Sequence, residues 1–217
     1  LDTYDLMDAG TFAQVANERA EALNTNTPFT DDQIQEFRQE GGTDWQDEIF
    51  RTGTGQEYQL DYSGGGENVT YFVSGNYLDE EGNLINSFFK RYSLRTNLQA
   101  ELSDKFRANL KMNFVRREAN NTTGDGNTSG PIGNALSWSP TVSPFNNNGI
   151  PTINDPISSI KGNPIELARN DNINESNALI TNGSFKYDII EGLTADVGFG
   201  VKYTNSATKI FSASRLS

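Results

Sequence analysis

Along residues 57–114, and again along 179–204, apolar and polar side chains alternate almost one for one. Tyr58, Leu60 and Tyr62 alternate with Gln59, Asp61 and Ser63, and Val69, Tyr71, Val73, Gly75 and Tyr77 with Thr70, Phe72, Ser74 and Asn76. Tyr92 to Leu102 and Phe106 to Phe114 repeat the pattern on even positions, against Arg95, Asn97, Gln99, Asn109, Lys111 and Asn113 on odd ones. Leu179 to Ile189 and Leu193 to Tyr203 repeat it on odd positions. Side chains on a strand point alternately to opposite sides, so each run predicts a strand with one apolar and one hydrophilic face. Phe72 and Ile180 break the rule and are expected to pack locally.

The parity of the apolar positions constrains the turns. Leu60 and Tyr62 are even while Val69 and Tyr71 are odd, so their loop holds an even number of residues. A Gly65-Gly66 turn, with Gly64 opposite Glu67, meets that condition. Ser103-Asp104-Lys105 and Ile190-Glu191-Gly192 are the odd loops that the next two hairpins require, the second with glycine at a left-handed position. Two longer connections, over about 79–90 and 120–175, lie between the tight turns. Short and long connections thus alternate, as in a meander whose two rims differ.

Before residue 57 the period is helical. Phe12, Val15, Ala16, Arg19 and Leu23 recur at helical spacing behind Asp8, a candidate N-cap. Thr30 and Gln33 read as a capping box with Phe29 and Ile34 at staple positions, and Thr43 and Gln46 repeat the box ahead of Trp45 and Ile49. Three short capped helices are expected, with too little apolar surface to fold alone.

Composition removes several chemistries. The 217 residues contain neither cysteine nor histidine, which excludes disulfides, thiolate or imidazole metal sites and His-based catalysis. A net charge of −12 argues against nucleic acid, whose phosphates need clustered cations. Mean hydropathy is −0.61 and no apolar run approaches the roughly 20 residues of a spanning helix. A membrane strand needs only about 9–11 tilted residues and shows no such run, so a membrane remains open.

Two environments explain the alternation. The apolar face packs on a second sheet, as in a soluble secreted β-sandwich that binds carbohydrate, or it meets lipid while the polar face lines a wet lumen. Strand length, unequal rims and aromatics on the apolar face favour the membrane barrel. Six strands, with a seventh beginning in "KIFSASRL" (residues 209–216), fall short of the eight in a small transmembrane barrel. A fragment of a longer chain is therefore expected.

"TDWQDEIFRT" (43–52) and "SGGGENVTYFVSGNYLDEEGNLINSFFKRYSLRTNL" (63–98) resemble the early barrel of SusC/RagA-type TonB-dependent outer-membrane transporters of Bacteroidetes. The matching words are Trp45 to Asp47, Ser63 to Gly65, Tyr71 to Tyr77, Leu78 to Gly82 and Phe89 to Arg95. "YDLMDAGTFAQVANE" (4–18) is similar to the helix that follows the family's first barrel strand. The likeness is dense over 43–98, looser over 1–24 and generic beyond about residue 120.

The resemblance implies an all-β architecture, a segment of a large antiparallel transmembrane barrel with a small helical extracellular loop. On that basis residues 1–56 are expected to be the helical extracellular loop and 57–119 four barrel strands. Residues 120–175 would then be a long extracellular loop, and 176–217 a further hairpin with the start of another strand. It implies import of oligosaccharide or peptide across the outer membrane, with a SusD-like surface lipoprotein as partner. TonB would act through a plug and contact segment that have no counterpart in these residues.

No catalytic constellation is present, and no enzyme, cofactor or metal is expected. "LDEEGN" (78–83) and "GDGN" (124–127) lack EF-hand spacing and read as acidic turns. Asp188 and Glu191 flank a turn rather than a predicted glycosidase cleft. "SGGGEN" lacks the lysine and following helix of a phosphate loop. The candidate lumen-lining residues are Arg95, Asn97, Gln99, Arg107, Asn109, Lys111 and Asn113, which either contact solute or satisfy one another across strands. Trp45 and Trp138 are candidate loop contacts, either stacking on solute or anchoring their loops.

Overall fold

The computed structural model describes residues 2–121, 130–158 and 162–211. Its strands are β1 (Gly55–Gly65), β2 (Val69–Glu81), β3 (Phe88–Ser103), β4 (Phe106–Asn120), β5 (Asp171–Ile190) and β6 (Leu193–Phe211). All six lie in one antiparallel sheet in chain order, with β1 and β6 as open edges. A sandwich needs a second sheet against the apolar face, and the described residues hold none.

Pairing carries the two faces across the whole sheet. On one side Leu94 lies opposite Phe114, Phe114 opposite Leu179 and Leu179 opposite Tyr203. On the other, Asp61 lies opposite Ser74, Ser74 opposite Arg95 and Arg95 opposite Asn113. A slip of one residue at any interface would exchange the faces beyond it, and none occurs along the apolar runs. Cross-strand rings reinforce the register, with Tyr58–Tyr77 centroids 6.4 Å apart, Tyr77–Tyr92 at 4.9 Å and Phe106–Phe185 at 5.9 Å. Phe199 lies over Gly183, where a Cβ would run into the ring, so the aromatic covers the backbone that glycine leaves bare.

The first turn differs from the glycine pair that parity suggested. Gly65 pairs with Thr70, and the Gly66 N–H donates to the Val69 carbonyl at 2.8 Å, leaving Glu67 and Asn68 to make the turn. Alternation fixes only whether a loop is odd or even, and registers two steps apart present identical faces. The register adopted places Tyr58 beside Tyr77, which the glycine turn would have separated. In the next two hairpins Ser103 pairs with Phe106 and Ile190 with Leu193, and a bulge in each takes up the odd residue. Gly192 has the expected positive φ of 80°.

Strands also run further than the alternation indicated. Asp79, Glu80 and Glu81 pair with Lys90, Phe89 and Phe88, so the connection expected over 79–90 contracts to 82–87. The Lys90–Asp79 ion pair at 3.3 Å shows why these charged residues still form strand. Residues 171–175, expected in the long loop, open β5, and Lys209 to Phe211 finish β6 instead of starting a seventh strand. Residues 212–216 and the "GDGN" turn lie outside the described residues.

The helices cluster at the rim of long connections. α1 (Ala9–Ala22) is capped by Asp8, and α2 (Asp31–Glu40) carries the reciprocal Thr30–Gln33 box. α1 buries Ala9, Gly10, Ala13 and Ala20, while Val15 and Leu23 of the expected apolar stripe are exposed. Small side chains win because α2 crosses closely: a Cβ on Gly10 would strike Arg38. α3 (Trp45–Ile49) is capped by Asp44, which accepts from the Gln46 and Asp47 N–H groups, so the expected Thr43–Gln46 box is absent. Thr43 donates instead to the Val142 carbonyl at 2.9 Å, and the Gln46 amide clamps both backbone groups of Tyr4. The long connection adds α4 (Pro131–Ala135) and α5 (Pro164–Arg169), the latter capped by Asn163.

The water-excluded core sits among these loops rather than on the sheet. Trp45, Ile49, Leu84, Ala135, Trp138, Ile165 and Ala168 form it, drawn from three separate connections. The sheet's apolar face, by contrast, lies open, with Leu60 77% and Val197 64% exposed. Ile49→Ala should therefore cost the loop core about 2–5 kcal/mol. Limited proteolysis should then cut the loops faster while the strand pairs stay intact.

Candidate functional site

The polar face of β3 and β4 brings the candidate lumen residues together. Arg95 lies opposite Asn113, Asn97 opposite Lys111, and Gln99 opposite Asn109, with Arg107 one step further opposite Glu101. All seven therefore share one face of one strand pair. Arg107 donates to Asp188 at 2.6 Å, and Asn109 donates to the Ser184 hydroxyl at 3.4 Å. Arg95 and Lys111 are exposed and make no ion pair among the described residues. Asp188, weighed above as one of a carboxylate pair, is engaged by Arg107 and by the Thr194 hydroxyl.

The opposite face changes character partway along each strand. From Leu102 back to Tyr92, β3 presents apolar or small side chains, and β6 does so from Leu193 to Tyr203. Beyond that limit the same face carries Asp79, Lys90, Arg116, Glu118, Glu175 and Lys209. These pair among themselves, as in Lys209–Glu175 at 2.6 Å and Arg116–Glu118 at 3.8 Å. Ten strand steps of roughly 3.3 Å, tilted at about 45°, rise about 23 Å. That is close to the roughly 25 Å apolar band of a bacterial outer-membrane barrel. Tyr58, Tyr77 and Tyr92 form one cross-strand row at the boundary, the position an aromatic girdle occupies.

Trp45 and Trp138 meet each other. Their rings stand edge to face at 4.9 Å, each at most 4% exposed, and the Trp45 indole donates to the Ser139 carbonyl at 3.0 Å. In this arrangement neither presents an open ring face to a solute, and both tie distant connections together.

Several residues that organise the loops escaped the sequence reading. Asp155 is 2% exposed and accepts from the Ser139 N–H (2.7 Å) and hydroxyl (3.0 Å), the Ile157 N–H (2.8 Å), and the Ser158 N–H (3.2 Å) and hydroxyl (2.6 Å). Burial pushes its carboxyl up, but the Ser158, Ser139 and Ile157 donors outweigh it and hold the group below its ordinary value. Buried Asn120 donates to the Asn86 carbonyl and accepts from the Asn172 N–H, both at 2.7 Å, joining the β2–β3 connection to β5. Asn163 bonds the carbonyls of Pro144 and Thr152 while capping α5. Asn163-Pro164 was a readable start signal, Asn at the cap with Pro following. The partners of Asp155 and Asn120 are set by tertiary folding alone.

No protein-family model matches the chain. It is 29% identical over 212 residues to TonB-dependent receptor P3 of Formosa agariphila, covering 94% of this chain and 20% of that one. It is 34% identical over 105 residues to TonB-dependent receptor SusC of Bacteroides thetaiotaomicron, covering 48% of this chain and 10% of that one. The solved RagAB peptide transporter superposes with a TM-score of 0.69 at 20% identity, over 96% of this chain and 27% of the matched chain. The RagAB peptide importer in its closed-closed state gives 0.60 at 24% identity, over 77% and 19%. The chain thus spans a fifth or less of the length of these curated relatives. The structural likeness establishes the fold, a stretch of antiparallel barrel wall.

A pH response follows from Asp155. Its folded carboxyl holds a proton more weakly than an unfolded aspartate, so its stabilisation is complete above about pH 4. It is lost as pH falls through the lower folded value. Acidification should loosen the loops towards protease, and Asp155→Asn should loosen them already at pH 7, by about 1.5–3 kcal/mol, with a flatter pH profile.

Proposed function

Taking the chain as a SusC/RagA-type segment of a TonB-dependent receptor, we propose that it forms part of the wall and outer rim of an outer-membrane nutrient importer. The apolar face meets lipid, the polar face lines the lumen, and the helical connections stand outside the cell. The imported solute is an oligosaccharide or a peptide, received together with a SusD-like surface lipoprotein. Energy comes from TonB through a plug supplied elsewhere in the receptor. The observation that carries this reading is the apolar band. It holds one face across five strand interfaces, ends on β1–β3 at a tyrosine row continued by Arg116, Asn177 and Asn205, and rises about as far as the apolar band of an outer-membrane barrel.

Physical constraints support it further. The open edges of β1 and β6 are untenable in hydrocarbon, where bare N–H and C=O groups cost several kcal/mol each. Neighbouring strands must therefore pair with both. The apolar face needs an apolar medium, since patches above a few hundred Å² are rare on soluble monomers. Lipid supplies that medium without a second protein layer.

Two measurements test the proposal. The receptor should partition with outer membranes, migrate in a heat-modifiable way, and bring down a lipoprotein when extracted in mild detergent. Recovery as a soluble monomer would overturn the reading. Leu110→Arg places a cation on the lipid face near mid-band and should cost about 2–4 kcal/mol, read as lost folded receptor in the outer membrane. Asn97→Arg on the opposite face should leave assembly unchanged.

A further inference from the structure

The polar face carries an uneven distribution of charge. Most strand cations have a carboxylate within reach: Lys90–Asp79 at 3.3 Å, Arg91–Glu57 at 3.2 Å, Arg107–Asp188 at 2.6 Å, Lys186–Asp196 at 3.4 Å and Lys209–Glu175 at 2.6 Å. Arg95, Lys111, Arg117 and Lys202 have none among the described residues, and all four point to the polar face. Three of them belong to β3 and β4. Arg117 stands directly opposite Arg91, and Arg95 lies two positions along the same face of β3 from Ser93. Lys111 lies opposite Asn97, one inward step beyond the Arg95–Asn113 pair. The only carboxylate that these two strands turn to this face is Glu101, at the tight-turn end. An exposed cationic line therefore runs along the face, in a chain whose net charge is −12.

Like charges set directly opposite destabilise a strand pair, and Arg91 opposite Arg117 is relieved by a single carboxylate, Glu57. Among the described residues no carboxylate closes on the remaining cations: Asp61, in the Arg95 row across Ser74, accepts from the Gln59 amide instead. Between the Arg117 and Lys111 rows stand Ser93, Val115 and Asn113, with Asn97 opposite Lys111 and the Gln99–Asn109 pair one row beyond it. Amides and hydroxyls offer hydrogen bonds without competing for charge. Such a line offers several equivalent contacts in succession, which suits a ligand that moves along it more than one docked in a single pose.

We infer that the Arg95–Lys111–Arg117 line is a contact path for an anionic solute, one bearing carboxylate or sulfate groups. The inference rests on the polar face being the lumen, and it narrows the solute class of the proposed importer. Guanidinium groups hold planar oxyanions through paired N–H donors, and lysine adds a point charge. A local excess of unpaired cations beside a low-dielectric layer concentrates counter-ions by about tenfold or more.

These 217 residues contain no cysteine, so single thiols can be placed in them and tested in the full receptor in intact outer membranes, with any cysteine elsewhere in the receptor replaced by serine. Asn97→Cys, within the line, would be reacted with two methanethiosulfonates of similar size, one bearing sulfonate and one trimethylammonium. The expected result is reaction with the sulfonate reagent at least about tenfold faster, falling to near parity in an Arg95→Gln/Lys111→Gln/Arg117→Gln background. Equal rates in the native background would overturn the inference while leaving the lumen reading intact. So would reaction with neither reagent until the receptor is unfolded, which would mean that the protein's own polypeptide covers the line. Val201→Cys on the apolar face separates the two failures. If it reacts with both water-soluble reagents while Asn97→Cys takes only a lipid-soluble maleimide, the lumen reading itself fails and the inference with it.

Discussion

Backbone hydrogen bonding between neighbouring strands is the constraint on which everything else here rests. In hydrocarbon an N–H or C=O without a partner cannot turn to water, so a wall must be paired along every strand. Antiparallel pairing in chain order meets that demand with two-residue turns at one rim, two of them beside a bulge. It leaves the side chains free to satisfy two different solvents. Alternation follows from the pairing, and the two faces follow from alternation.

The chain is consequently stabilised in two unlike ways. Its wall has no water-excluded interior of its own, and large side chains such as Leu60 and Val197 stay exposed on the apolar face. Its outer connections do have an interior, centred on Trp45, Ile49 and Trp138 and pinned by Asp155, Asn120 and Asn163. Buried polar groups are costly unless bonded, and each of these three makes two or more hydrogen bonds, at least one of them to backbone more than ten residues away. The loop core thus fixes the rim geometry that the wall cannot. It does so with hydrogen bonds between connections far apart in sequence.

Much of the wall was legible because period-two alternation is a local signal. The faces, the parity of every turn and the left-handed Gly192 all emerge from neighbouring residues. The first register did not, since pairings an even number of residues apart present the same faces, and contacts such as Tyr58–Tyr77 and the Asn76–Glu57 hydrogen bond select among them. The strand extensions at 79–81 and 171–175 were hidden because charged residues above the lipid band imitate a loop. At the site, the shared face of Arg95 to Asn113 was readable, while the pairing of Arg107 with Asp188 depended on a strand 81 residues away. The mutual burial of Trp45 and Trp138 was not readable either, because it joins segments across a sequence separation that no periodicity spans.

The in-phase faces also bear on how such a wall diverges. Removing one residue from the middle of β3 would send every later side chain of that strand to the wrong medium, whereas removing two would preserve the sides. Odd residues survive only where the bulges beside Ser103 and Ile190 set them aside next to the turns. Length variation among relatives should therefore come in pairs within the spanning strands. In the connections of the opposite rim, where no parity must be kept, any number can accumulate, and that is where new specificities have room to arise.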